Sequence, residues 1–147
     1  MAGFQLMSSD VVESCRARLP ISSLTLAIGD MIELDVGAAN WTVADNATIH
    51  WQHKAICLES ATTASTEVLA VLVQPGQYWE AESASSSAAA DNGDRMVLTD
   101  QNTVNNSGTD GAAKESVFIQ LGTLGAATDK RIWGIIVPGT GINPAAA

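Results

Sequence analysis

The order of turn and strand signals between Gly29 and Gly76 recurs between Gly93 and Gly139. A chain that repeats itself on this scale is built from two similar units. The first copy reads GDMIELD, NWTV, KAICLES, a small-residue turn ATTAST and EVLAVLVQPG. The second reads GDRMVLTD, NTV, KESVFIQLG, the turn TLGAATD and KRIWGIIVPG. Each Gly-Asp pair suits a turn that launches a strand, because Gly tolerates positive φ and Asp bonds its own backbone. Pro75 and Pro138 each remove a ladder donor, and Gly76 and Gly139 are expected to permit the reversal that follows.

Every repeated segment is a short run of β-branched and aliphatic residues, bounded by Gly, Asn, Asp and Ser. The intervals are too short for crossover helices, so the strands should pair antiparallel. ISSLTLAI, from Ile21, reads as a further strand before the first copy. The expected fold is all-β, an antiparallel barrel or sandwich of about eight strands with an internal duplication, and a pseudo-two-fold barrel is preferred. EVLAVLV and RIWGIIV are almost continuously apolar and should be covered on both faces, at the centre of the fold or under a neighbouring subunit. Trp133, inside RIWGIIV, is expected in the core. One short helix is expected after Asp10, across VVESCRARL to Pro20, with Glu13 at capping-box spacing. These signals divide the chain into an arm with the helix and first strand (1–27), a first β repeat (28–82), a small polar linker (83–92) and a second β repeat (93–147) sharing one core with the first.

Composition narrows the function. Of the 147 residues, 46% are hydrophobic, enough for a buried core, and only 16% are charged. A net charge of -9 repels phosphate backbones, so no nucleic-acid partner is expected. No apolar run approaches the roughly 18 residues of a membrane-spanning helix, and no membrane partner is expected. The opening MAGFQLMSSD has neither a basic start nor a continuous apolar stretch, which points to synthesis in a cytoplasm without Sec export. Cys15 and Cys57 are then expected to be free and buried.

Candidate chemistry is sparse. His50, His53 and Cys57 offer three soft ligands, but residues three apart on a strand point to opposite faces and no fourth ligand is evident. Asp91–Asp94, DNGD, lacks the spacing of a calcium loop and reads as a turn. GxSxG, Walker-type, GxGxxG and HExxH motifs do not occur, so no catalytic residue, metal or cofactor is assigned. Four of the aromatic residues are Trp, against one Tyr and two Phe. Trp41, Trp51 and Trp79 are divided between core filler and a partner-facing role, the latter either at a protein interface or as a stacking platform for sugars.

The run GDMIELD, NWTV, AICLES, a small-residue turn and EVLAVLVQPGQYWEAE resembles the capsid decoration, or cement, proteins of tailed bacteriophages: small acidic β domains preceded by an N-terminal arm. The resemblance covers Gly29 to Gly139 and carries no catalytic signature. It implies a structural virion protein, not an enzyme, assembled in the host cytoplasm. Such a protein would bind the major capsid protein on the outside of the expanded head, as a homotrimer. Phe4, Leu6, Met7, Val11 and Val12 would then form an arm laid on the shell, or else merely cover one end of the barrel, and Arg16 and Arg18 would meet acidic patches on the shell or simply be solvated. The alternative is a carbohydrate-binding or tail-adhesin module that uses Trp41, Trp51 and Trp79.

Overall fold

The computed structural model describes residues 3–7, 15–48, 50–106 and 116–141. Strands β2 (Arg16–Pro20), β3 (Met31–Leu34), β4 (Thr42–Val43), β5 (His53–Cys57) and β6 (Glu67–Leu72) lie side by side in the order β2-β6-β5-β3-β4. A parallel bridge between Ile21 and Trp41 joins the two ends of this sheet, with the Trp41 amide donating to the Pro20 carbonyl at 2.9 Å. The second half has β7 (Trp79–Ser83), β8 (Arg95–Asp100), β9 (Thr103–Asn105), β10 (Phe118–Leu124) and β11 (Arg131–Ile136), in the order β7-β11-β10-β8-β9. It closes in the same way, through parallel pairing of Glu82 with Thr103 and Ser83 with Val104. Each half is therefore a small barrel of five strands whose first and third strands meet in parallel, which leaves few open edges.

The duplication extends to register. Ile32 faces Ala55 and Ile56 faces Val71 in the first barrel, as Met96 faces Phe118 and Ile119 faces Ile135 in the second. EVLAVL and RIWGII thus superimpose residue on residue. The same comparison sets Met31 against Arg95, Leu69 against Trp133 and Ala70 against Gly134. It also sets Trp41 against Val104, because Ile21 pairs with Trp41 as Ser83 pairs with Val104. Gly29 and Gly93 both adopt φ +92°, so the two Gly-Asp turns are alike in conformation. The two Pro-Gly exits are not. Gly76 has φ +88°, whereas Gly139 is required by close approach, since a Cβ there would overlap the Gln52 carbonyl.

Three sequence expectations change. The helix expected from Asp10 to Pro20 is not found where the chain is described: Arg16–Pro20 is strand β2, paired along its whole length with β6, while residues 10–14 lie outside the described residues. Leu19 points inward while Arg16 and Arg18 are exposed, so a period of two wins over the helical spacing. ISSLTLAI is not a strand either. Ser23 takes φ +55°, which breaks extended backbone, and what remains is bridges at Ile21 and Leu26. Finally, strand pairing divides the barrels at Val73–Tyr78, ahead of the 83–92 stretch. Ser83 ends β7, and the following residues close one end of the second barrel, where Gln120 Nε2 donates to the Ala88 carbonyl (2.9 Å) and to Asn92 Oδ1 (3.0 Å).

Alternation along β6 explains how the barrels share a core. Val68 and Ala70 fill the first barrel with Ile32, Ala55 and Cys57. Val71 and Val73 face the other way and join Met31 and Ile56 in a cluster that continues through Met96, Leu98, Phe118 and Ile132 of the second barrel. β6 is therefore covered on both faces, as its unbroken apolar run requires. On β11, Ile132 and Ile136 are buried, whereas Trp133 and Ile135 are only half-buried on the outer side.

Candidate functional site

The N-terminal arm is the first structure to reach the second barrel. β1 (Gln5–Leu6) pairs antiparallel with β7, Gln5 opposite Glu80 and Leu6 opposite Trp79. The Phe4 amide donates to the Gly29 carbonyl at 3.0 Å, and its ring meets that of Phe118 with centroids 6.3 Å apart. Phe4 is buried and Leu6 half-buried, so these two arm residues belong to the protein's own interior. Met7 emerges at 48% exposure, with its amide bonded to the Tyr78 carbonyl at 2.8 Å. Val11 and Val12 lie outside the described residues.

Where the arm emerges, Met7, Tyr78, Leu121 and Trp133 line an apolar surface cavity of about 420 Å³. Two local features of β10 build it. The register shifts between Gln120 and Gly122, a bulge that inserts Leu121 and leaves it exposed on the barrel surface. Gly122 then stands opposite Trp133, and the indole occupies the space a Cβ at Gly122 would need. Tyr78 meets Trp133 edge-on, with centroids 6.0 Å apart and planes at 70°. Beside them Arg131 Nε donates to Glu80 Oε1 at 2.8 Å, a polar border to the apolar face.

The matching surface of the first barrel is chemically different. Leu69 stands in place of Trp133, and Arg18 reaches across it to Glu59 at 3.1 Å and Glu67 at 3.5 Å. Arg18 is thus half-exposed and already paired within the chain, while Arg16 is exposed.

Of the tryptophans singled out in the sequence, Trp41 and Trp79 are core residues, 6% and 2% exposed. Trp79 also donates its indole N–H to Gln77 Oε1 at 3.3 Å. Their burial removes the three-tryptophan sugar platform and leaves Trp51 half-buried on its own. Trp133, expected in the core, is half-buried and reaches the surface beside the exposed Tyr78. The bulge at Leu121 was missed because FIQLG reads as one regular strand. The glycine that ends this run was its only sequence signal.

His50, His53 and Cys57 do not converge, and no cluster of three or more potential metal ligands occurs among the described residues. Cys57 faces the first barrel's interior. Burial, with Asp30 and Glu59 adding to it, pushes its thiol up to about 12. Cys15 and Cys57 are both buried, and neither is in a disulfide.

A polar cluster sits where the second barrel's last strand leaves toward the first. Lys54, 1% exposed, donates its ammonium to the carbonyls of His50 (3.0 Å), Gln52 (2.8 Å) and Val137 (2.8 Å), so one side chain ties β5 to the end of β11. Across the strand pair, Glu33 accepts from Thr48 Oγ1 at 2.5 Å, and burial raises its carboxyl pKa. Gln52 Nε2 donates to Asp35 Oδ1. Burial also lowers the Lys54 pKa to about 8, partly opposed by Glu33, so the side chain remains a cation at neutral pH. Three carbonyl partners suit a fixed ammonium, and this group braces the two barrels.

No protein-family model matches this chain, and no curated protein or solved structure matches it either.

Proposed function

We propose that this chain is a structural virion protein that binds the outer surface of a phage capsid and stabilises the expanded head. The observation that carries the reading is the apolar face formed by Met7, Tyr78, Leu121 and Trp133 on the outside of the second barrel. The two barrels agree in register and differ on this face, where one is sealed by ion pairs and the other presents aromatic and aliphatic side chains. Aromatic anchors of this kind dominate protein interfaces. A cement protein also needs no reacting group. Weak contacts repeated over a symmetric shell, and presented by a homotrimer, multiply into strong collective binding.

The capsid reading is preferred to a glycan-binding one because Tyr78 and Trp133 are steeply inclined to each other and Trp41 and Trp79 are buried. Sugar stacking calls for exposed, flat rings. The test is saturable binding of the purified protein to empty, expanded heads, together with a rise in their disruption temperature. Trp133→Ala is expected to weaken binding at least tenfold while the barrels stay folded. Failure of the unaltered protein to bind mature heads would sink the reading, and fluorescence quenching by soluble glycans would favour its rival.

A further inference from the structure

The seam between the barrels holds a second, smaller cavity of about 140 Å³, lined by His50, Arg95, Ser116, Ile119 and Val137. His50 comes from the first barrel and the others from the second. Arg95 opens β8 directly opposite Ile119, and its side chain is exposed. Among the described residues its guanidinium appears in no ion pair, whereas Arg18 and Arg131 are both matched with carboxylates. Behind the wall lies a second cation, because the carbonyls of His50 and Val137 are two of the three that hold the Lys54 ammonium. Glu33, on the neighbouring strand, offsets part of that charge, but among the described residues no carboxylate lines the cavity.

Ser116 supplies an independent sign of a missing partner. It is 2% exposed, and its hydroxyl is shut off from solvent without a hydrogen-bond partner among the described residues. Buried hydroxyls in folded proteins are almost always paired, so an unpaired one in the wall of a cavity is a donor awaiting an acceptor. Nor does the cavity follow from the duplicated architecture. At the position equivalent to Arg95 the first barrel has Met31, which is fully buried in the shared core.

We propose that this seam cavity binds the carboxylate of an acidic side chain, Asp or Glu, presented by a partner protein. Arg95 would donate to the carboxylate oxygens, as would Ser116 once its hydroxyl, shut off from solvent as it stands, turns about χ1 into the cavity, with Lys54 contributing field from behind. The apolar portions of Ile119 and Val137 would cover the short aliphatic stem. That wall distinguishes the ligand class, since a free inorganic oxyanion would be desolvated against it without gain. The cavity rests on its own geometry. Only the identification of the partner as the shell protein rests on the proposed function.

The experiment is an NMR titration of the isolated, isotope-labelled protein with butyrate, a carboxylate on a short aliphatic stem. Butanol, butylamine and inorganic phosphate serve as comparisons. Saturable millimolar shifts are expected at the Ser116 amide and the Ile119 and Val137 methyls with butyrate alone. They should be lost in Arg95→Met, which installs the first barrel's residue, and reduced at least threefold in affinity by Ser116→Ala. Arg95→Gln provides a polar second variant should the Met variant fold poorly. Absence of saturable shifts, equal shifts with butanol or phosphate, or retention of binding in both Arg95 variants would overturn the proposal. If butyrate binds but expanded heads are not bound, the capsid reading falls and the cavity stands. If heads are bound but butyrate is not, only the cavity falls.

Discussion

Replacing Lys54 with Met keeps the length of the side chain and removes its three donors, so it separates two opposed effects of burying a cation. In the native protein the ammonium satisfies the carbonyls of His50, Gln52 and Val137. Each buried acceptor left without a donor costs about 1–3 kcal/mol, so orphaning all three costs roughly 3–9 kcal/mol. Met in turn relieves the cost of holding a charge away from water. A pKa lowered from 10.5 to about 8 measures that cost as about 3 kcal/mol. The two combine to a net loss at pH 7 that we place at about 2 kcal/mol, toward the lower end because backbone relaxation lets water reach some of the carbonyls.

The pH dependence is the sharper test, and its sign follows from linkage. Between about pH 8 and 10.5 the unfolded chain keeps a proton on Lys54 that the folded chain releases, so the unfolded state binds more protons and stability rises with pH. Below about pH 8 the group is charged in both states and the burial cost is present in full. Urea denaturation of both proteins at intervals from pH 7 to 10.5, taken as the difference between them, cancels the titration of other groups. The deficit of Lys54→Met should widen from about 2 to about 5 kcal/mol across this window. A constant difference would mean that folding leaves the Lys54 pKa unmoved. A narrowing one would mean that the three carbonyls outweigh desolvation, which would refute the reasoning.

Gly134→Ala should be severe, about 3 kcal/mol or more in chemical denaturation, because the added Cβ would overlap the Ile119 carbonyl of the paired strand. The equivalent residue of the first barrel is Ala70, fully buried, so the reverse change, Ala70→Gly, should cost only about 1 kcal/mol. Phe118→Ala removes a fully buried ring and should cost about 3–5 kcal/mol. It should also raise amide exchange at Phe4 and Leu6, whose arm rests on that ring. The Cys57 thiol, pushed up to about 12 by burial, should resist iodoacetamide at pH 8 in the native protein and react on addition of denaturant, as read by mass spectrometry.

How far the sequence disclosed this fold depended on whether a strand carried its own signal. EVLAVL announces itself because a strand covered on both faces needs apolar residues on successive positions, and RIWGII, half-buried on its outer side, shares that pattern and agrees with it register for register. RARLP and WEAES occupy equivalent places, yet they share no motif. Each is fixed by its neighbour, β6 or β11, so the first strand of each barrel was legible only from tertiary pairing. Ser23 shows the converse, where a good strand composition is overruled by one left-handed residue. The surface was less legible than the core. Trp41, Trp79 and Trp133 look alike in sequence, and what separates them is strand parity and a one-residue bulge.

That difference bears on how a duplicated barrel acquires a binding role. Interior positions are constrained by volume, so the two copies conserve apolar character where Ile32 corresponds to Met96 and Val68 to Ile132, all fully or nearly fully buried. Outward positions are constrained only by solubility and can diverge without unfolding the chain. Two differences bear on binding, the outward pair Leu69 against Trp133 and the pair Met31, buried in the shared core, against the exposed Arg95. The first pair makes one barrel's flank apolar, and the second sets a cation beside a hydroxyl that has no partner among the described residues. The two changes lie on one barrel, the same one that the N-terminal arm pins through β7. On the proposed function, the second barrel is the one that binds, and the first serves as its support. Exchanging Leu69 for Trp should therefore confer no affinity for heads, because the Arg18 ion pairs, not the size of the side chain, keep the first barrel's flank polar. Gained affinity from Leu69→Trp, measured in the Trp133→Ala background, would show instead that either barrel can serve.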